Sequence, residues 1–230
     1  MKSLSACRLY TFIDTAYLRG RSPELVAQQL CDGGSDIIQL RAKQSPVSEI
    51  RALAEKILPV TSRAGVILII NDHPSIAAEL SPTNNVPATS VGCHLGQEDF
   101  FDAGHKHISE LNPQPANPLS TINHRLSTLF GLSSHSPAQA TRAVAAGAGY
   151  IAIGPVYATG TKPSAKPVTL ECVRWAAQNI KIPWFAIGGI NIENLDDVLA
   201  AGAQRICVVS AILNSDHTAA ECQKFRKRLS

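Results

Sequence analysis

Two close-set cations and two carboxylates suggest what this sequence could do. Arg41 and Lys43 flank Ala42 in the run QLRAK. In an extended segment both side chains project to the same side and can clamp one anion. Asp72 follows Asn71, Asp99 closes the run HLGQED, and Lys162 adds a third cation in ATGTK. Two carboxylates alone could form an acid/base pair. Facing several cations, they also fit a Mg²⁺ site beside a polyphosphate, because Mg²⁺ prefers oxygen ligands and shares them with substrate phosphates. Zinc fits less well, since His94 and His135 lack a third nitrogen or sulfur ligand at a recognisable spacing. Gly188-Gly189 and Ser210 point to a separate phosphate. Glycines let the main chain approach an anion, and N–H groups at a helix start donate to it. A Mg²⁺–polyphosphate site and a monophosphate site together imply two phosphorylated small-molecule substrates.

These residues must be brought together by the elements that hold them. Short β-branched runs alternate with amphipathic segments along the chain. The spacing predicts strands over Arg8–Ile13, Asp36–Arg41, Val66–Asn71, Ser90–Leu95, Ser127–Ser133, Tyr150–Gly154, Trp184–Gly188 and Arg205–Ser210. Helices are expected over Pro23–Cys31, Val47–Arg63, Pro74–Leu80, Ala138–Ala146, Leu170–Ile180, Ile192–Ala201 and Thr218–Leu229, with one more within Phe100–Leu111. Near-continuous apolar strands such as VILII suit a parallel sheet covered on both faces. Eight strand–helix units point to an α/β fold, a closed (β/α)₈ TIM barrel, in one domain over residues 1–230. The 230 residues divide into units of roughly 29, near the minimum for such a repeat. Gly33-Gly34, Gly147 and Gly202 read as helix ends, and Ser22-Pro23, Ser45-Pro46 and Ser136-Pro137 as Ser caps before a first-turn Pro. In such a barrel the site lies at the C-terminal ends of the strands. Seven consecutive strand ends, from the second to the eighth, carry polar or glycine residues suited to anions.

Composition narrows the function classes. A net charge of +3, spread along the chain, argues against a nucleic-acid binder. The longest apolar runs, such as Val66–Ile70, are too short to span a bilayer, and the first residues lack the apolar core of a secretory signal. Six cysteines without a Cys-x-x-Cys pair read as reduced, mostly buried residues of a cytoplasmic protein. Cys93 beside His94 reads as a buried small residue rather than a nucleophile. Each site residue also has a plain structural reading: Asp72 as a helix cap, Asp99 as a first-turn acid, Gly188-Gly189 as a bare turn. Those readings leave the coincidence of the strand ends unexplained. The sequence leaves the oligomeric state open, with a homo-oligomer admissible.

The motifs QLRAK, ND, HLGQED, GLSSHS, GPVYATGTK, AIGGI and VVSAI, in this order from Tyr10 to about Ser215, resemble the thiamine-phosphate synthase (pyrophosphorylase) family. The resemblance implies a TIM-barrel transferase of thiamine biosynthesis. It would couple hydroxymethylpyrimidine diphosphate with hydroxyethylthiazole phosphate, or its carboxylated form, giving thiamine monophosphate and pyrophosphate. It assigns Gln39, Arg41, Lys43, Asn71, Ser133 and Lys162 to the pyrimidine diphosphate, with Arg41, Lys43, Lys162 and Ser133 acting in catalysis. Mg²⁺ as cofactor would be held by Asp72 and Asp99, and the thiazole phosphate by Thr159, Gly160, Thr161, Gly189, Val209 and Ser210. The implied mechanism is dissociative, with pyrophosphate leaving before the thiazole nitrogen attacks.

The chain departs from the family pattern in places. The Asp that commonly precedes a strand is kept at Asp36, but Val91, Gly149 and Gln204 stand at comparable positions. Ser81–Ser90 and Phe100–Leu126 are longer than usual. The nearest alternative is the sister thiazole tautomerase, in which the residue matching His135 moves a proton and no diphosphate–Mg²⁺ site is needed. A non-catalytic barrel that senses thiamine phosphates is a second alternative, and a phosphosugar isomerase with a lone strand-end base is a third.

Overall fold

The computed structural model describes residues 3–81, 91–111, 128–161 and 165–229. Eight parallel strands close into a barrel in chain order: β1 Leu9–Asp14, β2 Ile37–Arg41, β3 Ile67–Asn71, β4 Val91–Leu95, β5 Leu129–Ser134, β6 Tyr150–Ile153, β7 Trp184–Ile187 and β8 Ile206–Cys207. The ring closes where Tyr10 of β1 pairs with Cys207 of β8. Strands as apolar as ILIIN in β3 are buried between the barrel interior and the surrounding helices, which is why they carry no polar alternation.

The helices are α1 Pro23–Asp32, α2 Val47–Ala64, α3 Pro74–Leu80, α4 Pro137–Ala145, α5 Thr169–Asn179, α6 Leu195–Ala200, α7 Ser210–Leu213 and α8 Thr218–Arg228. Ser22 and Ser136 cap α1 and α4, their hydroxyls accepting the N–H groups of Leu25 and Gln139. Ser45 does not cap α2: Pro46 takes the cap position, and the helix starts one residue later than the Ser-Pro pair predicts. Gly34, Gly147 and Gly202 adopt positive φ just after their helices, as expected. Asp36 secures the bottom of the barrel, its carboxylate accepting the N–H groups of Arg8 and Leu9 and a guanidinium N–H from Arg226.

Three expectations change. The helix expected within Phe100–Leu111 is instead a π-helical turn, Glu98–Asp102, followed by a 3₁₀ turn, Ile108–Leu111. Gly104, with φ of 93°, stands between them and breaks the helical path. β8 is only two residues long, because Val209 turns the chain straight into the four-residue α7. The helix expected from Ile192 starts at Leu195, since the Asn191 side chain accepts the N–H groups of Glu193 and Asn194 and holds a turn there. The expected loop over Asn112–Asn123 and the starts of the fourth and fifth predicted strands lie outside the described residues.

Aromatic side chains fill the barrel interior. Tyr10 stacks on Phe12 at 5.3 Å, and Phe185 meets Tyr10 and Tyr150 edge-on at 5.4 and 5.7 Å. Space for the Tyr150 ring comes from Gly131 on the neighbouring strand. A Cβ there would lie 2.1 Å from a Tyr150 ring carbon. This packed floor lies beneath the open mouth at the C-terminal ends of the strands. Among the described residues, no helix is long and apolar enough to cross a membrane.

Candidate functional site

A cavity of about 350 Å³ opens at the C-terminal ends of the strands. It is lined by Gln39, Arg41 and Lys43 from β2 and the residues after it, by Asn71 and Asp72 at the end of β3, and by Asp99 and Ser133 after β4 and on β5. The opposite wall holds Thr159, Thr161, Gly189, Val209 and Ser210. The structure thus gathers those predicted site residues into one mouth. Gly160 is the exception: it is exposed, does not line the cavity, and has only the Tyr17 hydroxyl at 4.0 Å from where a Cβ would stand. Thr159 and Thr161 line the cavity on either side of it. Lys162 lies outside the described residues.

The charged wall is already internally paired. Arg41 Nη1 donates to Asp14 Oδ2 at 2.6 Å, and the Asp14 side chain is only 2% exposed. Asp14 also accepts the Ala16 N–H and so caps the 3₁₀ turn after β1. Lys43 Nζ lies 2.7 Å from Asp72 Oδ2, and Asn71 Nδ2 donates to the same oxygen at 2.6 Å. Asp72 does not cap α3, whose cap position is His73. Its φ of 62° turns it away from the strand direction, a conformation that Asp tolerates better than most residues.

Asp99 is positioned by the HLGQED loop. Its Oδ2 accepts the Gly96 N–H at 3.2 Å, and a Cβ at residue 96 would come within 2.6 Å of that oxygen. A larger residue there would push the carboxylate from this position. Gln97 fastens the same loop to β5, donating to the Ser133 carbonyl at 2.5 Å while accepting from Arg142 Nη2 at 2.8 Å. Arg142 in turn lies 3.8 Å above the Phe101 ring. Asp72 and Asp99 thus offer hard oxygen atoms to one cavity, a donor set that suits Mg²⁺ when substrate oxygens complete it. Among the described residues no group of three or more His, Cys, Asp or Glu forms a metal cluster.

The opposite wall is built around a main-chain turn, with uncharged side chains beside it. Gly188 and Gly189 have φ of 100° and 66°, and a Cβ on Gly189 would stand 2.6 Å from the Ala158 carbonyl oxygen. The β6 loop is tied to this turn, Val156 N–H donating to the Ile187 carbonyl at 2.8 Å and Tyr157 N–H to the Gly188 carbonyl at 3.0 Å. Thr161 Oγ1 lies 3.2 Å from the Tyr17 hydroxyl, which links the β6 loop to the loop after β1.

Several buried groups were not singled out for the site from sequence. Burial pushes His94 down to about 4, helped by Lys43 and opposed by Asp99, so its imidazole is neutral. His94 Nε2 is 3.0 Å from Ser133 Oγ, and Nδ1 is 3.2 Å from the Tyr150 hydroxyl. Asp14 escaped notice because the first strand was expected to end one residue earlier, at Ile13. The signal is a polar residue directly after the apolar run of the first strand. The cysteines are free, and burial pushes the Cys93 and Cys207 thiols up, which keeps both protonated.

The chain matches the thiamine monophosphate synthase family over residues 9–212. It is 39% identical over 198 residues to the thiamine-phosphate synthase of Thermus thermophilus, covering 86% of this chain and 84% of that protein. It is 34% identical over 225 residues to the thiamine-phosphate synthase of Chloroflexus aurantiacus, covering 97% and 93%. Among solved structures, the thiamine phosphate pyrophosphorylase of Pyrococcus furiosus superposes with a TM-score of 0.77 at 25% identity, over 97% of this chain and 95% of that one. The (S)-3-O-geranylgeranylglyceryl phosphate synthase of Thermoplasma acidophilum, at 15% identity and a TM-score of 0.63 over 97% and 93% of the two chains, shares the fold.

Proposed function

The chain belongs to the thiamine monophosphate synthase family and makes thiamine monophosphate, and from that premise we propose how its mouth divides the work. The charged wall takes hydroxymethylpyrimidine diphosphate, and the glycine wall takes hydroxyethylthiazole phosphate or its carboxylated form. The observation that carries this reading is the single cavity in which Arg41, Lys43, Asp72 and Asp99 face Gly188, Gly189 and Ser210. An anion-clamping half and a main-chain half in one space suit two phosphorylated molecules about to be joined.

The chain's own groups supply the electrostatics. As the bond between the pyrimidine methylene carbon and the diphosphate oxygen breaks, negative charge grows on the leaving pyrophosphate. Arg41 and Lys43 stand ready to meet it, and Asp14 fixes the Arg41 fork in advance. Lys162 would add a third cation from the β6 loop. Ser133 offers a hydroxyl to the same group, while Gln39 and Asn71 orient the pyrimidine end. The thiazole nitrogen then bonds to the freed methylene carbon, so no protein nucleophile is required. Asp72 and Asp99 would hold Mg²⁺, which when bound neutralises diphosphate charge. Lys43 would then exchange its pairing with Asp72 for one with the substrate.

The test is a coupling assay of the purified protein with both phosphorylated halves, with and without Mg²⁺, following thiamine monophosphate and pyrophosphate. Both products should appear together and disappear in excess chelator. Full activity in chelator would remove Mg²⁺ from the reading. One observation favours a second reading: His135 Nδ1 bonds the Gly154 carbonyl, leaving its buried Nε2 as an acceptor with no partner among the described residues. A thiazole double-bond shift in place of coupling would support isomerisation by that nitrogen.

A further inference from the structure

Five side chains form an unbroken hydrogen-bonded chain beneath the mouth, of which the function proposed above uses only the two ends. Gln39 Nε2 donates to the Tyr10 hydroxyl at 2.7 Å, and the Tyr10 and Tyr150 hydroxyls are 3.0 Å apart. The chain continues from Tyr150 to His94 Nδ1 at 3.2 Å and from His94 Nε2 to Ser133 Oγ at 3.0 Å. Gln39, Tyr10, Tyr150 and His94 are all buried; Gln39 and Ser133 line the cavity at the two ends, and Tyr10 and His94 reach its floor between them.

The donors and acceptors along this chain allow one direction. The amide N–H of Gln39 only donates, so Tyr10 accepts there and its own proton passes to Tyr150. Tyr150, having accepted, donates to His94 Nδ1. An imidazole between a phenol and a hydroxyl, with no carboxylate on either nitrogen, carries one ring proton. With Nδ1 accepting, that proton sits on Nε2 and points at Ser133 Oγ. In the reverse direction Tyr10 would accept from both neighbours. Its own buried proton would then have no acceptor among the described residues, a state that folded proteins avoid.

We propose that His94, oriented by Tyr150 and Tyr10, is a positioning residue that frees the Ser133 hydroxyl proton for donation into the mouth. A free serine hydroxyl can donate or accept. Nε2–H fills one of the two lone pairs of Ser133 Oγ and cannot receive the Ser133 proton, which is therefore left for an acceptor in the cavity. Given the function proposed above, on which this step rests, that acceptor is an oxygen of the departing diphosphate. A donor aimed where charge grows acts on kcat more than on KM.

Two readouts test this. In ¹⁵N NMR of the resting protein without substrate, His94 Nε2 should be protonated and Nδ1 bare; a protonated Nδ1 overturns the proposal. This readout needs no turnover, so it can fail while wild-type coupling succeeds, and the reverse. In kinetics, His94→Leu should lower kcat about thirtyfold with KM within about twofold. His94→Gln, whose amide N–H can stand in for Nε2–H, should recover most of that loss. In a Ser133→Ala background, His94→Leu should cost no more than about twofold further, because its effect passes through Ser133. An equal loss in both backgrounds, a change confined to KM, or a Gln variant no better than Leu overturns the proposal. Should His94→Leu fail to fold by circular dichroism, Tyr150→Phe keeps the ring and removes the hydroxyl that accepts from Tyr10 and donates to Nδ1. It should mix the two His94 tautomers in the same spectrum, and an unchanged spectrum overturns the proposal.

Discussion

The two walls of the mouth, proposed to hold different anions, are built by different physical means. The β2–β5 wall uses full charges on flexible side chains and stores them in pairs, Arg41 with Asp14 and Lys43 with Asp72. The β6–β8 wall has no charged side chain among its described lining residues and relies on main-chain geometry at Gly188 and Gly189. The difference suits the chemistry of each half. A leaving diphosphate gains negative charge during the reaction, so full cations already held beside it are useful there. A phosphate that only anchors its molecule keeps its charge, and a rigid cradle suffices.

The largest effect should come from removing a cation from the charged wall. Lys43→Ala is expected to lower kcat/KM about a thousandfold, measured as pyrophosphate release, with circular dichroism unchanged. Asp99→Ala should act similarly and leave residual activity insensitive to Mg²⁺. Full activity in either variant would remove the division of labour between the walls.

Acid should separate the walls next. His94 beneath the charged wall is held at about 4 against an ordinary 6.5, so between those values the unfolded chain binds a proton that the folded one refuses. Stability is therefore complete above pH 6.5 and falls as the pH drops toward 4, by roughly 3 kcal/mol in all. Urea unfolding of metal-free protein at pH 7 and 4.5 measures this. His94→Gln should lose this component, and an equal acid loss in the variant would assign it elsewhere.

A third test strikes the glycine wall. Gly189→Ala would place a methyl group against the Ala158 carbonyl at a φ of 66°. KM for the thiazole phosphate should rise about thirtyfold while KM for the pyrimidine diphosphate stays within about twofold. An equal rise in both would mean that the walls are not separable. The smallest effect is expected from Asp14→Asn, which keeps the side-chain size but releases Arg41. A drop of about tenfold in kcat, the size of one charge-assisted hydrogen bond, should appear in steady-state kinetics with pyrimidine binding retained.

Strand-end residues were legible because a parallel barrel converts chain position into spatial position. Once β2 is known to end near Arg41, that residue must face the mouth. Gln39, Asn71, Asp72, Ser133 and Ser210 follow by the same logic. The connection after β4 was less legible, because Gly104 and the residues around it combine apolar and turn-forming character within a few positions. Asp14 was missed by a boundary error of one residue. Nothing local to Arg41 announces its partner on the neighbouring strand, since the pairing depends on the register that sets Asp14 opposite Arg41.

The sequence by itself determined the barrel, the order of its strands and the chemical type of each wall, because these depend on periodicity and on residues at strand ends. Only the tertiary structure decided which charges are paired at rest and which polar groups meet beneath them. Tyr10, Gln39, His94, Ser133 and Tyr150 come from five strands, and the two tyrosines look like ordinary core positions when read singly. Closing the barrel places their polar atoms within 3.2 Å of one another, and burial then forces each donor to find an acceptor. Direction along such a chain is a property of the closed ring and of no single strand.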